Sequence, residues 1–248
     1  MKIALLISGG GTTMEAIIKA TRNGTLVGVL PVLVIASNEN AGGIEKAHNL
    51  GINDADILVI NPKDFSSRED FGQKIIEECQ KREVDFIGQY GFMVMTPENV
   101  INTYEGRIVN QHPGPLDTRP YMVGGQVVHL DFGGAGMYGL RVHQARIEFV
   151  KKVNRDFWTE ATCHRVTAEF DQGAILKRRE VPIQDDDTAE SLQERVLPME
   201  HAVQIETLQD FANNNVKEWQ RENPLVLSDE EGILEECKQI AIKMYPKG

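Results

Sequence analysis

The 248-residue sequence has few cysteines, fewer cationic than anionic side chains, and no long apolar run. Its three cysteines, Cys79, Cys163 and Cys237, are scattered and odd in number, so neither a disulfide framework nor a CxxC metal site is expected. No apolar stretch approaches the roughly 20 residues that a membrane helix needs, and the opening segment 1–8 is too short for a signal peptide. These absences predict a cytoplasmic protein with no membrane partner.

The balance of charges restricts the partners further. With 26 Lys and Arg against 37 Asp and Glu, the formal net charge is −11, which argues against a large nucleic-acid footprint. A local nest of backbone N–H groups can still hold a small anion. We therefore expect small-molecule substrates and no nucleic acid, while the sequence leaves a monomer and a homodimer equally open.

Apolar runs alternate with helical patterns over the first 112 residues. The pattern predicts strands at 2–8, 31–37, 57–60, 85–90 and 107–112, and helices at 12–21, 41–50, 66–82 and from 97. Thr12 and Thr13 are expected to cap the first helix, and Pro97 to stand at the first position of the fourth. Strands that are apolar throughout indicate a parallel sheet covered on both faces, in which ligands bind beyond the carboxyl ends of the strands.

The pattern changes after His112. The next elements are a long Gly- and Pro-rich loop, a helix, two strands and two helices, over 115–137, 138–155, 160–167, 175–181, 187–213 and 229–245. Asp187 is expected to be the N-cap of the long helix, and Pro198 to kink or split it. The last helix is amphipathic, and we expect it to be peripheral.

A glycine-rich turn, Gly9-Gly10-Gly11-Thr12-Thr13, joins the first strand to the first helix. Glycines let the backbone approach an anion and a helix N-terminus offers N–H groups, so this turn suits a phosphate. The Lys of a P-loop is missing, however, and Met14 stands where a dinucleotide fingerprint needs its third Gly. A tight turn with no ligand explains the glycines equally well.

Asn110 and His112 end the fifth predicted strand, and alternation places both side chains on one side of it. An amide donor beside an imidazole suits oxyanion stabilisation with proton transfer nearby. Asp171, in a turn between two predicted strands, has the chemistry to orient and charge a histidine. Taken singly, a strand-end histidine and an ordinary Asp-containing turn are the simpler interpretations.

Two further features bear on ligands. Phe92, Met93 and Met95 follow the fourth strand and offer side chains for an apolar pocket. Several histidines and Cys163 fall within a modest stretch, but none of the pairs has HxxxH or CxxC spacing, so no metal is predicted.

These motifs occur in an order that resembles the folate-dependent formyltransferase family, most nearly its purine-pathway branch. The opening 2–18 resembles the family's first strand, turn and helix, although Gly-Ser-Asn usually stands where this sequence has Gly11-Thr12-Thr13. The later matching segments are Gly91-Phe92-Met93, Asn110-Gln111-His112-Pro113, Asp171-Gln172-Gly173, Val181-Pro182-Ile183, Asp187-Thr188, Arg195-Val196 and Glu200-His201. The similarity spans 1–213.

The resemblance implies an α/β, Rossmann-like formyltransferase fold with a mostly parallel central sheet flanked by helices. It implies formyl transfer from 10-formyltetrahydrofolate, as cosubstrate, to the amine of glycinamide ribonucleotide in de novo purine biosynthesis. The implied catalytic residues are Asn110, His112 and Asp171. The implied contacts of the substrate phosphate and ribose are Gly11, Thr12, Thr13 and Glu200, and those of the folate are Met93, Val94, Met95, Thr167 and Asp171.

Two long segments depart from the family pattern. An insertion over about 116–137 follows the His-Pro pair, and 214–248 has no counterpart, so we expect a formyltransferase domain over 1–213 and a C-terminal helical extension over 214–248. The insertion is expected to cover the acceptor as a lid. Two alternatives stay open: a folate-dependent N-formyltransferase acting on another amine, such as an amino-sugar nucleotide, and a non-catalytic folate- or nucleotide-binding module.

Overall fold

The computed structural model describes residues 1–123 and 126–248. Gly124 and Gly125, which belong to the predicted insertion, lie outside the described residues. The strands are β1 (Lys2–Ile7), β2 (Leu30–Ala36), β3 (Ile57–Val59), β4 (Phe86–Gln89), β5 (Ile108–His112), β6 (Tyr121–Val123), β7 (Gln126–Val128), β8 (Trp158–Arg165) and β9 (Ile175–Pro182). The helices are α1 (Thr12–Arg22), α2 (Gly43–Asn49), α3 (Arg68–Lys81), α4 (Glu98–Thr103), α5 (Leu140–Val153), α6 (Ala189–Ala212) and α7 (Glu231–Met244).

The described residues form two compact units. The first comprises 1–111, 165–168 and 204–216, and the second comprises the described residues of 112–164 with 169–203 and 217–248. In the first unit, strands pair in parallel in the order β3-β2-β1-β4-β5, which confirms the predicted parallel sheet. The predicted boundary at residue 213 rests on sequence similarity and stays a prediction.

The strands of the first unit are almost continuously apolar, and both faces of β1 are buried, since all the residues of 3–7 are 0% exposed. Leu6 of β1, Ile35 of β2 and Ile87 of β4 are at most 1% exposed, and Ile75 of α3 packs into the same cluster. Burying each such side chain contributes about 1.5–3 kcal/mol. This apolar core fixes the sheet, and with it the strand ends that carry several predicted site residues.

The second unit contains two antiparallel pairs. β8 pairs with β9, and β6 pairs with β7. The β6–β7 pair lies inside 115–137, so the prediction of a long loop is wrong at 121–123 and 126–128. Strands of three residues are too short for their alternation to stand out in a sequence.

The last helix, α7, is not peripheral, which corrects the prediction. Its buried residues Leu234, Cys237 and Ala241 recur at helical spacing and therefore lie on one face. They join a core cluster with Val142 and Phe149 of α5. The other residues of α7 are mostly polar, so its composition is that of a surface helix. Its burial becomes evident only from its packing against α5.

Two helix starts in the first unit differ from the predictions. Gly11, in the left-handed conformation at φ 64°, precedes α1, and neither Thr12 nor Thr13 is its cap. The sharp turn after β1 needs a positive φ, which glycine adopts without strain. Pro97 is the N-cap of α4 and Glu98 its first residue, one position later than predicted.

The long helix α6 runs unbroken through Pro198, so the predicted split does not occur. Proline lacks one backbone N–H, but the helix continues on both sides of Pro198. At the start of α6, Oγ1 of Thr188 accepts the N–H of Ser191 at 3.2 Å, so Thr188 takes the capping role predicted for Asp187. Asp187 instead accepts hydrogen bonds from Arg195.

All three cysteines are buried, and none is in a disulfide. Burial raises the pKa of the Cys79 thiol to about 12 and that of Cys237 to about 11. Within the described ranges, no helix combines the length and apolar character that a membrane span requires.

Candidate active site

His112 is the last residue of β5 and is 3% exposed. Its Nε2 lies 3.1 Å from the carbonyl oxygen of Phe132, and its Nδ1 lies 3.6 Å from Oδ2 of Asp171. Because a carbonyl oxygen can only accept, this hydrogen bond requires the proton to be on Nε2. Nδ1, which faces the carboxylate, is therefore the nitrogen that can gain and lose a proton.

Asp171 lies in the turn between β8 and β9 with a left-handed backbone, φ 58°. Asp tolerates this region better than most residues, but such conformations are uncommon outside glycine and cluster at functional sites. Its Oδ2 accepts the N–H of Gly134 at 3.0 Å, and its Oδ1 lies 3.4 Å from Nε2 of His164. One carboxylate therefore faces two imidazoles.

The charges of this cluster follow from burial and pairing. Burial alone raises the pKa of Asp171, but His112, His164 and the Gly134 N–H together bring that pKa below its usual value. Burial lowers the pKa of His112 more than the charge of Asp171 raises it. Asp171 is thus the ionised carboxylate of this cluster.

Two parts of this cluster received no role from the sequence. His164, near the end of β8, has no distinctive spacing and received no catalytic role. The segment 131–134 belongs to the insertion, and its Gly133-Gly134 pair indicated only a turn. A Cβ at Gly133 would lie 2.8 Å from the Cβ of Asp171, so the close approach of this segment to Asp171 depends on glycine.

Asn110 precedes His112 by two residues on β5 and pairs in register with Gln89 of β4. Both residues are in β5, and the placement of their side chains on one side of the strand stays a prediction. Asn110 is half-buried. Its predicted role as an oxyanion donor stays a prediction.

The glycine-rich turn is held by its own backbone. The N–H of Gly43 donates to the carbonyl of Gly9 at 3.0 Å, and a Cβ at Gly11 would lie only 2.8 Å from the Cα of Gly43. Thr12 is half-buried, whereas Thr13 is 2% exposed, so a phosphate here would meet backbone N–H groups rather than the Thr13 hydroxyl. The phosphate site stays a prediction.

The predicted folate residues of the first unit follow β4 and β8. Met93 is 53% exposed, and Val94 and Met95 are half-buried. Met95 lines an open cavity of about 490 Å³ together with Ala168, the neighbour of the exposed Thr167. These two predicted segments therefore adjoin one cavity.

Glu200, predicted to contact ribose, is 4% exposed on α6. Burial raises the pKa of its carboxyl to about 7. Among the described residues, no group of three His, Cys, Asp or Glu side chains has an arrangement that would hold a metal ion.

Comparisons with known proteins identify the family of this chain. A profile of the Formyl transferase family matches residues 1–208. The chain is 32% identical over 231 residues to the chloroplastic phosphoribosylglycinamide formyltransferase of Vigna unguiculata, covering 92% of this chain and 66% of that protein. It is 28% identical over 217 residues to the phosphoribosylglycinamide formyltransferase of Escherichia coli strain K12, covering 88% of this chain and 90% of that one.

A solved structure gives the same family. The crystal structure of phosphoribosylglycinamide formyltransferase from Brucella melitensis is 33% identical, with a TM-score of 0.68, and the match covers 85% of this chain and 95% of that one. The family profile covers well over half of the sequence. The chain therefore belongs to the formyl transferase family, and it is an enzyme with that family's Rossmann-like fold.

Proposed function

We propose that this chain transfers the formyl group of 10-formyltetrahydrofolate to the amine of glycinamide ribonucleotide, a step of de novo purine biosynthesis. The observation that carries the proposal is the His112–Asp171 pair, with Nδ1 3.6 Å from Oδ2, in a chain of the formyl transferase family. Relatives named for this reaction match 92% and 88% of the chain.

The proposed reaction begins when the acceptor amine attacks the formyl carbon and a tetrahedral oxyanion forms. The side-chain amide of Asn110 donates a hydrogen bond to that oxygen. The proton that the amine loses passes to Nδ1 of His112, and the Asp171 carboxylate stabilises the resulting imidazolium. When the intermediate collapses, the bond from carbon to the folate nitrogen breaks, and that nitrogen takes the proton from His112.

The substrate contacts complete the proposal. Backbone N–H groups at Gly11, Thr12 and Thr13 hold the phosphate of the acceptor, and the Glu200 carboxyl contacts its ribose hydroxyls. The folate contacts Met93, Val94, Met95, Thr167 and Asp171. We also propose that the enzyme acts in the cytoplasm, as a monomer or a homodimer, on small molecules alone.

One observation favours a second acceptor. Phe132 and Gly134 of the insertion contact His112 and Asp171 directly, so a segment that departs from the family pattern lies against the reacting groups. Such a segment can reshape an acceptor site, and an amino-sugar nucleotide is then the competing substrate.

The deciding experiment supplies purified full-length chain with 10-formyltetrahydrofolate and either glycinamide ribonucleotide or an amino-sugar nucleotide. Release of tetrahydrofolate and formation of the formamide are followed together. We expect kcat/KM for glycinamide ribonucleotide to exceed the other value by at least about tenfold. The reverse preference would assign the alternative acceptor, and donor binding without transfer to either amine would identify a binding module.

A further inference from the structure

The segment 131–134 of the insertion contacts both members of the candidate catalytic pair through its backbone. The Phe132 carbonyl accepts from Nε2 of His112 at 3.1 Å, and the Gly134 N–H donates to Oδ2 of Asp171 at 3.0 Å. The position of this segment therefore sets which imidazole nitrogen carries the proton. It also sets the direction in which the carboxylate points.

Buried polar contacts hold the segment from the side of its own chain. Asp131 is 1% exposed, and its two carboxylate oxygens accept the N–H of Gly133 at 2.9 Å and the N–H of Asp117 at 3.0 Å. These bonds close the insertion on itself, because Asp117 lies at its start and Asp131 near its end. The carbonyl of Gly133 has its partner outside the insertion.

That carbonyl accepts a hydrogen bond from the C-terminal helix. Nζ of Lys238, on α7, donates to the Gly133 oxygen at 3.1 Å across a separation of 105 residues. The carboxylates that attract the ammonium electrostatically are Asp131, Glu235 and Asp171. Burial lowers the pKa of Lys238 and raises that of Asp131, and the attraction between the two partly offsets both effects.

A buried cation is costly unless its contacts compensate it. The stem of α7 is already anchored by Leu234, Cys237 and Ala241, so the helix does not need a partly buried ammonium to stay in place. The backbone at Gly133 is closely packed, because a Cβ there would meet both Leu116 and Asp171. A displacement of the Gly133 carbonyl is therefore transmitted to the two peptide groups beside it.

We propose that Lys238 is a positioning residue for formyl transfer: by holding the Gly133 carbonyl, it fixes the peptide groups that orient His112 and Asp171. The C-terminal extension then completes the active site, which gives 214–248 a role in catalysis. This inference rests on the proposed catalytic roles of His112 and Asp171.

The test compares Lys238→Met, which keeps most of the apolar stem and removes the donor, with Lys238→Arg, which retains a charged donor. Lys243→Met is the matched control, because Lys243 is exposed on the same helix. We expect Lys238→Met to lower kcat about 10- to 100-fold while the KM for the amine changes less than about threefold. Lys238→Arg should recover part of kcat, and Lys243→Met should match the wild type.

A second readout does not depend on turnover. In ¹⁵N-histidine NMR, the wild type should hold the His112 proton on Nε2, and Lys238→Met should populate the Nδ1–H form as well. Unchanged kcat and an unchanged His112 tautomer in folded Lys238→Met would overturn the proposal. If Lys238→Met does not fold, Lys238→Ala, which also removes the donor, is subjected to the same two criteria.

The two measurements separate this proposal from the proposed function. A wild type that transfers no formyl group to any amine would refute the proposed function, whereas the NMR comparison would still decide whether Lys238 orients His112. A wild type that is active, with Lys238→Met equally active and its His112 tautomer unchanged, would refute the positioning role alone.

Discussion

The two compact units bury different kinds of side chain. The core cluster of the first is aliphatic and aromatic, with Leu6, Ile35, Phe71 and Ile75 at most 1% exposed. The second unit adds fully buried charged groups, such as Glu160, to its apolar cluster. An apolar core needs only close packing, whereas each buried charge needs its own partner. The second unit therefore loses more when one polar side chain is removed.

Glu160 shows how the second unit satisfies such a charge. Its two oxygens accept hydrogen bonds from Arg178 of β9 and from Arg221, which lies beyond α6. Trp219 stacks with both guanidinium groups, at 4.0 Å and 5.1 Å from ring centroid to Cζ. Residues 217–248 are thus held in their unit by charged pairs as well as by the apolar face of α7, whereas the core cluster of the first unit is apolar.

The largest effect should come from the carboxylate at the centre of the charged cluster. Asp171→Asn removes the charge that stabilises a His112 imidazolium, so we expect kcat to fall about 10²- to 10⁴-fold. Denaturant unfolding should show that the variant still folds. Asp186→Asn, at an exposed position, is the control. Near-normal turnover in folded Asp171→Asn would contradict the assignment.

The next effect tests the buried ion pairs directly. Glu160→Gln leaves Arg178 and Arg221 without their shared carboxylate, and breaking such a pair costs about 3–5 kcal/mol in the free energy of unfolding. The control is Glu180→Gln, because Glu180 pairs with the same Arg178 from a side chain that is 51% exposed. We expect that change to cost at most about 1 kcal/mol. Equal losses would mean that burial does not govern these pairs.

The free energy of unfolding should depend on pH because of Glu200, which is buried in the second unit. Its folded pKa of about 7 exceeds its usual 4.5, so the folded state binds more protons than the unfolded state between these values. The contribution of Glu200 to the free energy of unfolding is then fully present below about pH 4.5. Up to about 3 kcal/mol of it is lost as the pH rises to about 7. Glu200→Gln should remove this slope from the pH dependence of unfolding. A slope that persists unchanged would assign it to other groups.

The smallest effect is expected in the apolar core. Ile75→Val removes one buried methyl group and should cost about 0.5–1.5 kcal/mol in the free energy of unfolding. Because no charge is involved, the loss should be the same at pH 5 and pH 8, by contrast with Glu200→Gln. Val27→Ala, at a position that is 63% exposed, should change stability by less than about 0.5 kcal/mol. If the loss of stability in Ile75→Val varied with pH, the apolar core of the first unit would not differ from the second unit in this respect.

The same distinction explains what the sequence could predict. The strands of the first unit are near-continuous apolar runs, and the pattern of such a run is local, so β1 to β5 were predictable. β6 and β7 have three residues each, too few for their alternation to stand out, and the place of α7 depends on its packing against α5, far along the chain. The bond from Lys238 to Gly133 spans 105 residues, and the pair of Arg221 with Glu160 spans 61. Periodicity contains no information about such contacts.

The candidate site divides in the same way. His112 and Asp171 stood in recognisable motifs, and the structure brings them together. His164 received no role, because a histidine near a strand end is ordinary until its neighbours are known. The insertion showed only turn-forming residues, and its hydrogen bonds to the catalytic pair come from backbone groups, which every residue type except proline can supply in full.

A buried cysteine in each unit allows the local opening of that unit to be followed separately. Cys79 lies in the core cluster of the first unit and Cys237 in that of the second, and burial raises the pKa of both thiols. A thiol reagent in solution therefore reacts with each only after the surrounding structure has opened. Mass spectrometry of the two modified peptides would time the opening of each unit separately, in the natural sequence and without any added label.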